Sequence, residues 1–482
     1  MSLQISPEMK PYFGILFILL ALPLRGQQVW DLNRCLERAR KNNLQVLAAQ
    51  TDVTSGRLDA RAEKYNALPA LNAGTRANWN YGLTQNPTTG VLENQTVFGN
   101  SVSLSADMPL FNGFALRTKR YLANLNLDLA RNRLQSALRK VQTDVVSAYL
   151  SVLVAAENLK AARAQEADTR AQIEKMRELV RQGARPLSDL KDLEAQGAND
   201  HLQTVQAQNN LAMARLQLGQ LLLLEHPDAI RVDTQAEHFP VSEKWLLFSP
   251  DSLFNAYLDN QPDVRAARIQ YDIAGQQLRL SRSGYYPGIS AFANWNSRFV
   301  DRPSIAGVEP DPDNPYRIIG ITENTHERVL APNYRRITGP PDPYFTQLDN
   351  NKGFVVGISV NIPIFNRFKT RYAVRKAGVA KEKARWQIRQ QEQNFRNLIY
   401  RLHTDARNAR AKRDAARKSF EAARTAYDYA REKLDAGIIS PYDFSNIKTR
   451  KMQAEARYIS AKYEYLLKLK LLEMTLENPQ AQ

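Results

Sequence analysis

The chain of 482 residues carries 66 Lys and Arg against 49 Asp and Glu, a formal net charge of +17, with 43% apolar residues and one cysteine. The apolar fraction suffices for a core, and the lone Cys35 excludes an internal disulfide or a thiolate cluster. The basic residues are spread along Ala-, Gln- and Asn-rich stretches rather than gathered in one block, which argues against a nucleic-acid partner.

At the N-terminus, Lys10 precedes an apolar run from Tyr12 to Leu24, and Arg25-Gly26-Gln27 offers a cleavage zone. Thirteen apolar residues are too few to span a bilayer comfortably as a helix, so residues 1–26 read as a signal peptide and the chain as exported. A first helix is predicted over 31–66, with Cys35 as a small apolar residue on it. Two strands follow near 71–81 and 101–109, where Leu71, Ala73, Ala77, Trp79 and Tyr81 alternate with Asn72, Arg76, Asn78 and Asn80, and Val102, Leu104, Ala106 and Met108 alternate with serines and Asp107. Segments of about ten residues, apolar on one side and polar on the other with aromatics near the ends, carry the pattern of transmembrane barrel strands.

A long helical stretch near 114–182 comes next. Leu138, Val145, Val152 and Leu159 recur every seven residues, with Leu127, Leu134, Val141, Ala148, Ala155 and Ala162 as a partner seam. An alanine-rich seam of this spacing favours closely packed, supercoiled helices, and about 70 residues at 1.5 Å each reach roughly 100 Å. Gly183 then fits a left-handed turn, and a return helix ends near Leu222.

The same order of elements then repeats. Val102 to Phe114 (VSLSADMPLFNGF) matches Val356 to Phe368 (VGISVNIPIFNRF) at a separation of 254 residues, which also aligns Gly183 with Gly437 and Asp189 with Asp443. Upstream, Asn42, Pro69 and Tyr81 align with Asn260, Pro287 and Phe299 at a separation of 218. The change in separation locates an insertion at 301–352, rich in Pro, Asp, Asn and Gly and without a sustained period, which is predicted to be one long loop. Residues 27–222 and 251–477 are therefore two copies of one unit, with 223–250 as a linker and 478–482 as a tail. In the second copy the helix falls over 251–283, the strands near 289–299 and 354–363, the long helix near 368–436, the turn at Gly437 and the return helix to Leu476. The fold class is mainly α with β: two tandem helix–strand–strand–helical-hairpin repeats.

The strand count constrains the assembly. Four strands cannot close a barrel, and open sheet edges are not tolerated in a bilayer, so the chain must share a barrel with copies of itself. Two copies give eight strands, a barrel filled by its own side chains; three give twelve and a lumen, so a homotrimer is the smallest solution that conducts.

The tandem arrangement, the strand-end motifs DMPLFNGF and NIPIFNRF, the turns VRQGARPLSDLKDLEAQ and LDAGIISPYDFSNIKTR, and the opening VWDLNRCLERARKNNLQVLAAQ together resemble the TolC-like outer-membrane efflux family over residues 29 to 477. The resemblance implies a trimer with a twelve-stranded barrel in outer-membrane lipid and a long periplasmic α-helical coiled-coil tunnel. It implies partners as well: an inner-membrane pump reached through a periplasmic adaptor protein, in efflux or type I secretion of drugs, metals or proteins. It also implies that the hairpin tips close the tunnel and dock the adaptor or pump, through Gly183, Pro186 and Ser188 in one tip and Gly437, Ser440 and Pro441 in the other. Asp443 falls where the family places an acid at the constriction; three residues on, where a second acid is expected, this chain has Asn446, while the first repeat keeps Asp189 and Asp192. On dipole grounds alone, Asp189 and Asp443 also suit the first turns of the return helices, which Ser188 and Pro441 begin. Arg177, Arg181 and Lys433 near the tips are candidate partners for ion pairs that hold a closed state.

Nothing in the sequence suggests an enzyme or a cofactor. His201, His226, His238, His326 and His403 are scattered without metal-ligand spacing, and there is no glycine-rich phosphate loop. The rival reading is a periplasmic coiled-coil adaptor or scaffold without a pore, which needs the hairpins but predicts no paired amphipathic strands.

Overall fold

The computed structural model describes residues 29–85, 91–233 and 241–477; the expected signal peptide and the C-terminal tail lie outside them. The described residues divide into two compact units, one drawn from residues 1–48, 135–260 and 395–482, the other from 49–134 and 261–394.

The elements follow one another with local causes that can be named. After β1 (Val29–Trp30), α1 (Leu32–Asn42) opens on Asp31, whose carboxylate accepts the Arg34 N–H at 2.8 Å. Asn43 is extended at ψ 129°, and its side chain accepts the Gln45 N–H at 2.9 Å, so α2 (Leu44–Tyr65) starts afresh. The single helix expected over 31–66 is thus two helices, split because an asparagine side chain competes for backbone donors. Cys35 is fully buried on α1, and that burial pushes its thiol up to about 12.

Next come β2 (Ala70–Gln85), β3 (Leu92–Asn112), α3 (Ala115–Arg181), α4 (Leu187–Leu221) and β4 (Arg231–Val232), which pairs with β1 in parallel. They are followed by α5 (Pro250–Tyr257), α6 (Pro262–Arg282), β5 (Gly288–Val300), β6 (Ser304–Pro310), β7 (Tyr316–Ile321), β8 (Arg328–Pro332) and β9 (Tyr334–Gly339). The chain then forms α7 (Tyr344–Asn350), β10 (Gly353–Asn361), α8 (Lys369–Asp435) and α9 (Pro441–Leu476).

In the second unit the four long strands form one antiparallel sheet in the order β10–β5–β3–β2. Register sorts the residues by face. Trp295 stands opposite Phe354 and Leu104, and Ala293 opposite Val356 and Ala106; with Leu71, Ile358 and Met108 they make one face apolar, and most of these side chains are exposed. The other face carries Asn72, Asn78, Ser103, Ser105, Asn294, Asn296 and Ser359. Within the chain, β2 and β10 are edges with one neighbour each. A buried cluster of Val53, Ala60, Ala123 and Leu127 packs α2 on α3 in the same unit, where a Cβ on Gly56 would stand 3.3 Å from the Leu127 backbone.

Residues 301–352 are not the unstructured loop that their composition suggests. β6 pairs with β9, β7 pairs with β8, and α7 follows. Both ladders carry register shifts, between Ile305 and Gly307 and between Ile318 and Gly320, and each bulge breaks the two-residue alternation by which short strands are recognised.

Apart from the short β1–β4 pair, the first unit is helical. The heptad residues Leu138, Val145, Val152 and Leu159 are buried, as are Leu193 and Leu218 of α4 and Leu469 and Leu472 of α9. Gly219 lets α4 meet the following turn, because a Cβ there would stand 2.2 Å from the Pro227 carbonyl oxygen.

Candidate functional site

The two hairpin tips belong to the first unit, and both turn by the same device. At Gly183 (φ +71°) the Ala184 N–H reaches the Leu179 carbonyl at 2.8 Å and the Gly183 N–H reaches Val180 at 3.0 Å. At Gly437 (φ +74°) the Ile438 N–H reaches Lys433 at 2.8 Å and the Gly437 N–H reaches Leu434 at 3.0 Å. Both are Schellman closures, which satisfy the last helical carbonyls and require the left-handed backbone that glycine adopts without strain.

The return helices start differently. Ser440 caps α9: its Oγ accepts the Asp443 N–H at 3.1 Å and donates to the Asp443 carboxylate at 2.7 Å. Pro186 stands at the cap of α4 and supplies no side-chain hydrogen bond; Ser188 is the second residue of the helix, where the return helix was expected to begin. Asp189 is half-buried and pairs with Arg185 at 3.5 Å, whereas Asp192, Asp443 and Asn446 are exposed.

The contacts that join the hairpins come from residues other than those expected. Arg177 pairs with Glu174 and Glu194, and Arg181 with Glu178, all within their own hairpin. Arg185 is one residue that crosses: its Nη2 donates to the Leu434 carbonyl at 3.4 Å, at the C-terminal end of α8, where a cation also meets the helix dipole. Lys175 bridges to Asp435 at 2.7 Å, and Asp168 of α3 takes Arg431 at 3.7 Å and a hydrogen bond from the Tyr427 hydroxyl. Burial, aided by that bond, pushes the Tyr427 phenol up.

Further along the same hairpins lies a buried polar cluster. Lys448 of α9 and Asp200 of α4, each 1% exposed, pair at 3.0 Å. The Thr169 hydroxyl of α3 touches both, and Gln196 donates to the other Asp200 oxygen at 2.7 Å. Burial pulls the Lys448 ammonium below its usual range, and the Asp200 carboxylate opposes that pull. No spacing rule points to this cluster, since its members come from three helices. Among the described residues, no group of three or more His, Cys, Asp or Glu side chains could hold a metal ion.

Comparison with known proteins agrees with this architecture. The family model described as "Outer membrane efflux protein" matches residues 35–222 and 253–475. The chain is 23% identical over 436 residues to the alkaline protease secretion protein AprF of Pseudomonas aeruginosa, covering 89% of this chain and 80% of AprF. It is 21% identical over 475 residues to the outer membrane protein TolC of Vibrio cholerae, covering 96% and 94%. Among solved structures, the outer membrane protein VceC of Vibrio cholerae superposes with a TM-score of 0.69 at 14% identity, over 92% of this chain and 95% of VceC. The four-stranded sheet, the paired helical hairpins and the match across both halves lead to one assignment: the chain belongs to the outer membrane efflux protein family.

Proposed function

We propose that three copies of this chain close a twelve-stranded barrel in the outer membrane above a periplasmic helical conduit, and that an inner-membrane pump, joined through a periplasmic adaptor, expels its substrates through it. Family membership makes the chain an outer-membrane channel component without enzymatic activity. The trimer and its partners are our reading, carried by one observation: an open four-stranded sheet with an apolar face, a polar face and two bare edges, β2 and β10. In a bilayer those edges must find partners, and three copies supply them while leaving a polar lumen. The strand pairs also disfavour the adaptor alternative, which has no use for them. In this reading 27–222 and 251–477 are the two repeats, and 301–352 faces the exterior. Native mass measurement of detergent-extracted protein tests the assembly; a stable monomer or dimer overturns it.

We assign the periplasmic gate to the tips. Asp443 is its main lumen-facing acid, Asn446 weakens the ring below, and Asp189 and Asp192 contribute from the first hairpin. The tip turns around Gly183, Pro186, Ser188, Gly437, Ser440 and Pro441 are the docking surface for adaptor or pump. The exposed Asp443 carboxylate at a helix start supports this, because three such carboxylates around an axis concentrate negative potential and favour cations. Single-channel recording of wild type against Asp443→Ala checks it: reduced cation preference is expected, and unchanged selectivity with only lower thermal stability leaves Asp443 a capping residue.

A further inference from the structure

The short helix α7 has no counterpart among the described residues of the first repeat, and its position is specific. β10 begins at Gly353 opposite Asn296, four residues before β5 ends at Val300. Along that unpartnered stretch α7 and the residue after it supply the missing bonds. Ser297 Oγ donates to the Leu348 carbonyl at 2.6 Å, Asn351 Nδ2 donates to the Arg298 carbonyl at 2.9 Å, and the Gln347 amide exchanges two bonds with the Val300 backbone at 3.0 and 3.1 Å. Ser297 and Phe299 share the apolar face with Trp295, so these contacts draw α7 over the apolar side of the sheet. Tyr344 completes the seating: its ring lies 5.1 Å from Phe299, and its hydroxyl donates to Asn100 Oδ1 at 2.6 Å.

This seating extends a line of rings. Trp79, Phe98, Phe299, Tyr344 and Phe345 follow one another at centroid separations of 4.9, 6.2, 5.1 and 5.3 Å. The line ends at Phe345, which is 81% exposed. At the other end of the sheet stand Phe111, Phe114 and Tyr286. Between the two groups, β5 residues 289–297, rising about 3.4 Å each at a tilt of roughly 40°, cover about 20–25 Å, close to the apolar band of a barrel in a membrane. The only charged residue of α7, Asp349, pairs with Lys352 at 2.5 Å. A neutral helix with a tyrosine and a phenylalanine at the rim of an apolar band suits the headgroup level of a lipid leaflet, where amphipathic rings partition.

We propose that α7 is a lateral lipid contact, seating Phe345 in the headgroup region of the outer leaflet and fixing the height of the barrel in the membrane. This inference rests on the barrel reading above, and its test keeps the two apart. Nitroxide labels are placed on Phe345→Cys, on Ile358→Cys of β10 and on Ile318→Cys of the β7–β8 ladder; native Cys35 is fully buried, and unsubstituted protein measures any label it takes. Proteins of wild-type assembly mass are reconstituted in phospholipid vesicles, and collision with oxygen is compared with collision with a water-soluble nickel chelate. The oxygen-to-nickel ratio should be highest at 358 and, at 345, several-fold above that at 318. A ratio at 345 equal to that at 318 places Phe345 in water and overturns the inference, while a high ratio at 358 leaves the barrel standing. A label at 345 shielded from both reagents shows a protein contact, such as a second copy, and overturns it as well. A low ratio at 358 removes the barrel reading, and the α7 contact with it.

Discussion

Lys448→Met removes the one ammonium of the buried cluster while nearly preserving side-chain length. Asp200, 1% exposed, then keeps only the neutral donors Thr169 and Gln196. Breaking one side of a buried ion pair costs about 3–5 kcal/mol, because the remaining charge stays desolvated. With an unfolding entropy of roughly 2.1 cal/mol/K per residue, a chain of 482 residues loses about 1 °C per kcal/mol, so Tm should fall by about 3–5 °C. The double variant Lys448→Met/Asp200→Asn removes the stranded charge and should recover most of that loss. Thermal melts followed by circular dichroism at 222 nm, at one protomer concentration, measure both. A single variant within about 1 °C of wild type, or a double variant below the single, would refute the claim that an uncompensated charge sets the cost.

Two further expectations use the same melts. Gly437→Ala should cost more than Gly183→Ala: both meet a left-handed backbone penalty of about 1–2 kcal/mol, but only at Gly437 does the new Cβ fall 2.8 Å from Arg185 Nη2 and displace it from Leu434. Ser440→Ala should cost about 1 kcal/mol through loss of the cap on α9, whereas Ser188→Ala should be close to neutral.

What the sequence revealed depended on whether a cause was local. The turns at Gly183 and Gly437 were legible because a Schellman closure needs a left-handed residue, and the first strand pair because alternation runs through about ten residues of each strand, ahead of the register shift between Pro109 and Phe111. The ladders of β6 to β9 were hidden by bulges and by strands of five to seven residues. At the tips, Arg177 and Arg181 were plausible links by position, but acids three residues away occupy them, and the crossings fall to Lys175 and to Arg185 beyond the turn. The Lys448–Asp200 pair joins residues 248 apart, and a lysine flanked by Ile447 and Thr449 gives no local sign of burial.

The central seam of the sheet also has a bearing on how the protein forms. β2 and β3 are joined by a short connection, but β3 meets β5 only across the α3–α4 hairpin, with Asn112 paired to Gly288, a separation of 176 residues. Closing a flexible loop of that length costs about 4–5 kcal/mol in chain entropy before any constant term, against about 2 kcal/mol for the β2–β3 connection. The hairpins are therefore the early products, and the seam between them waits until the intervening helices have shortened the path. A helix-breaking proline in the middle of α3 would accordingly slow barrel biogenesis, although it touches none of the strands.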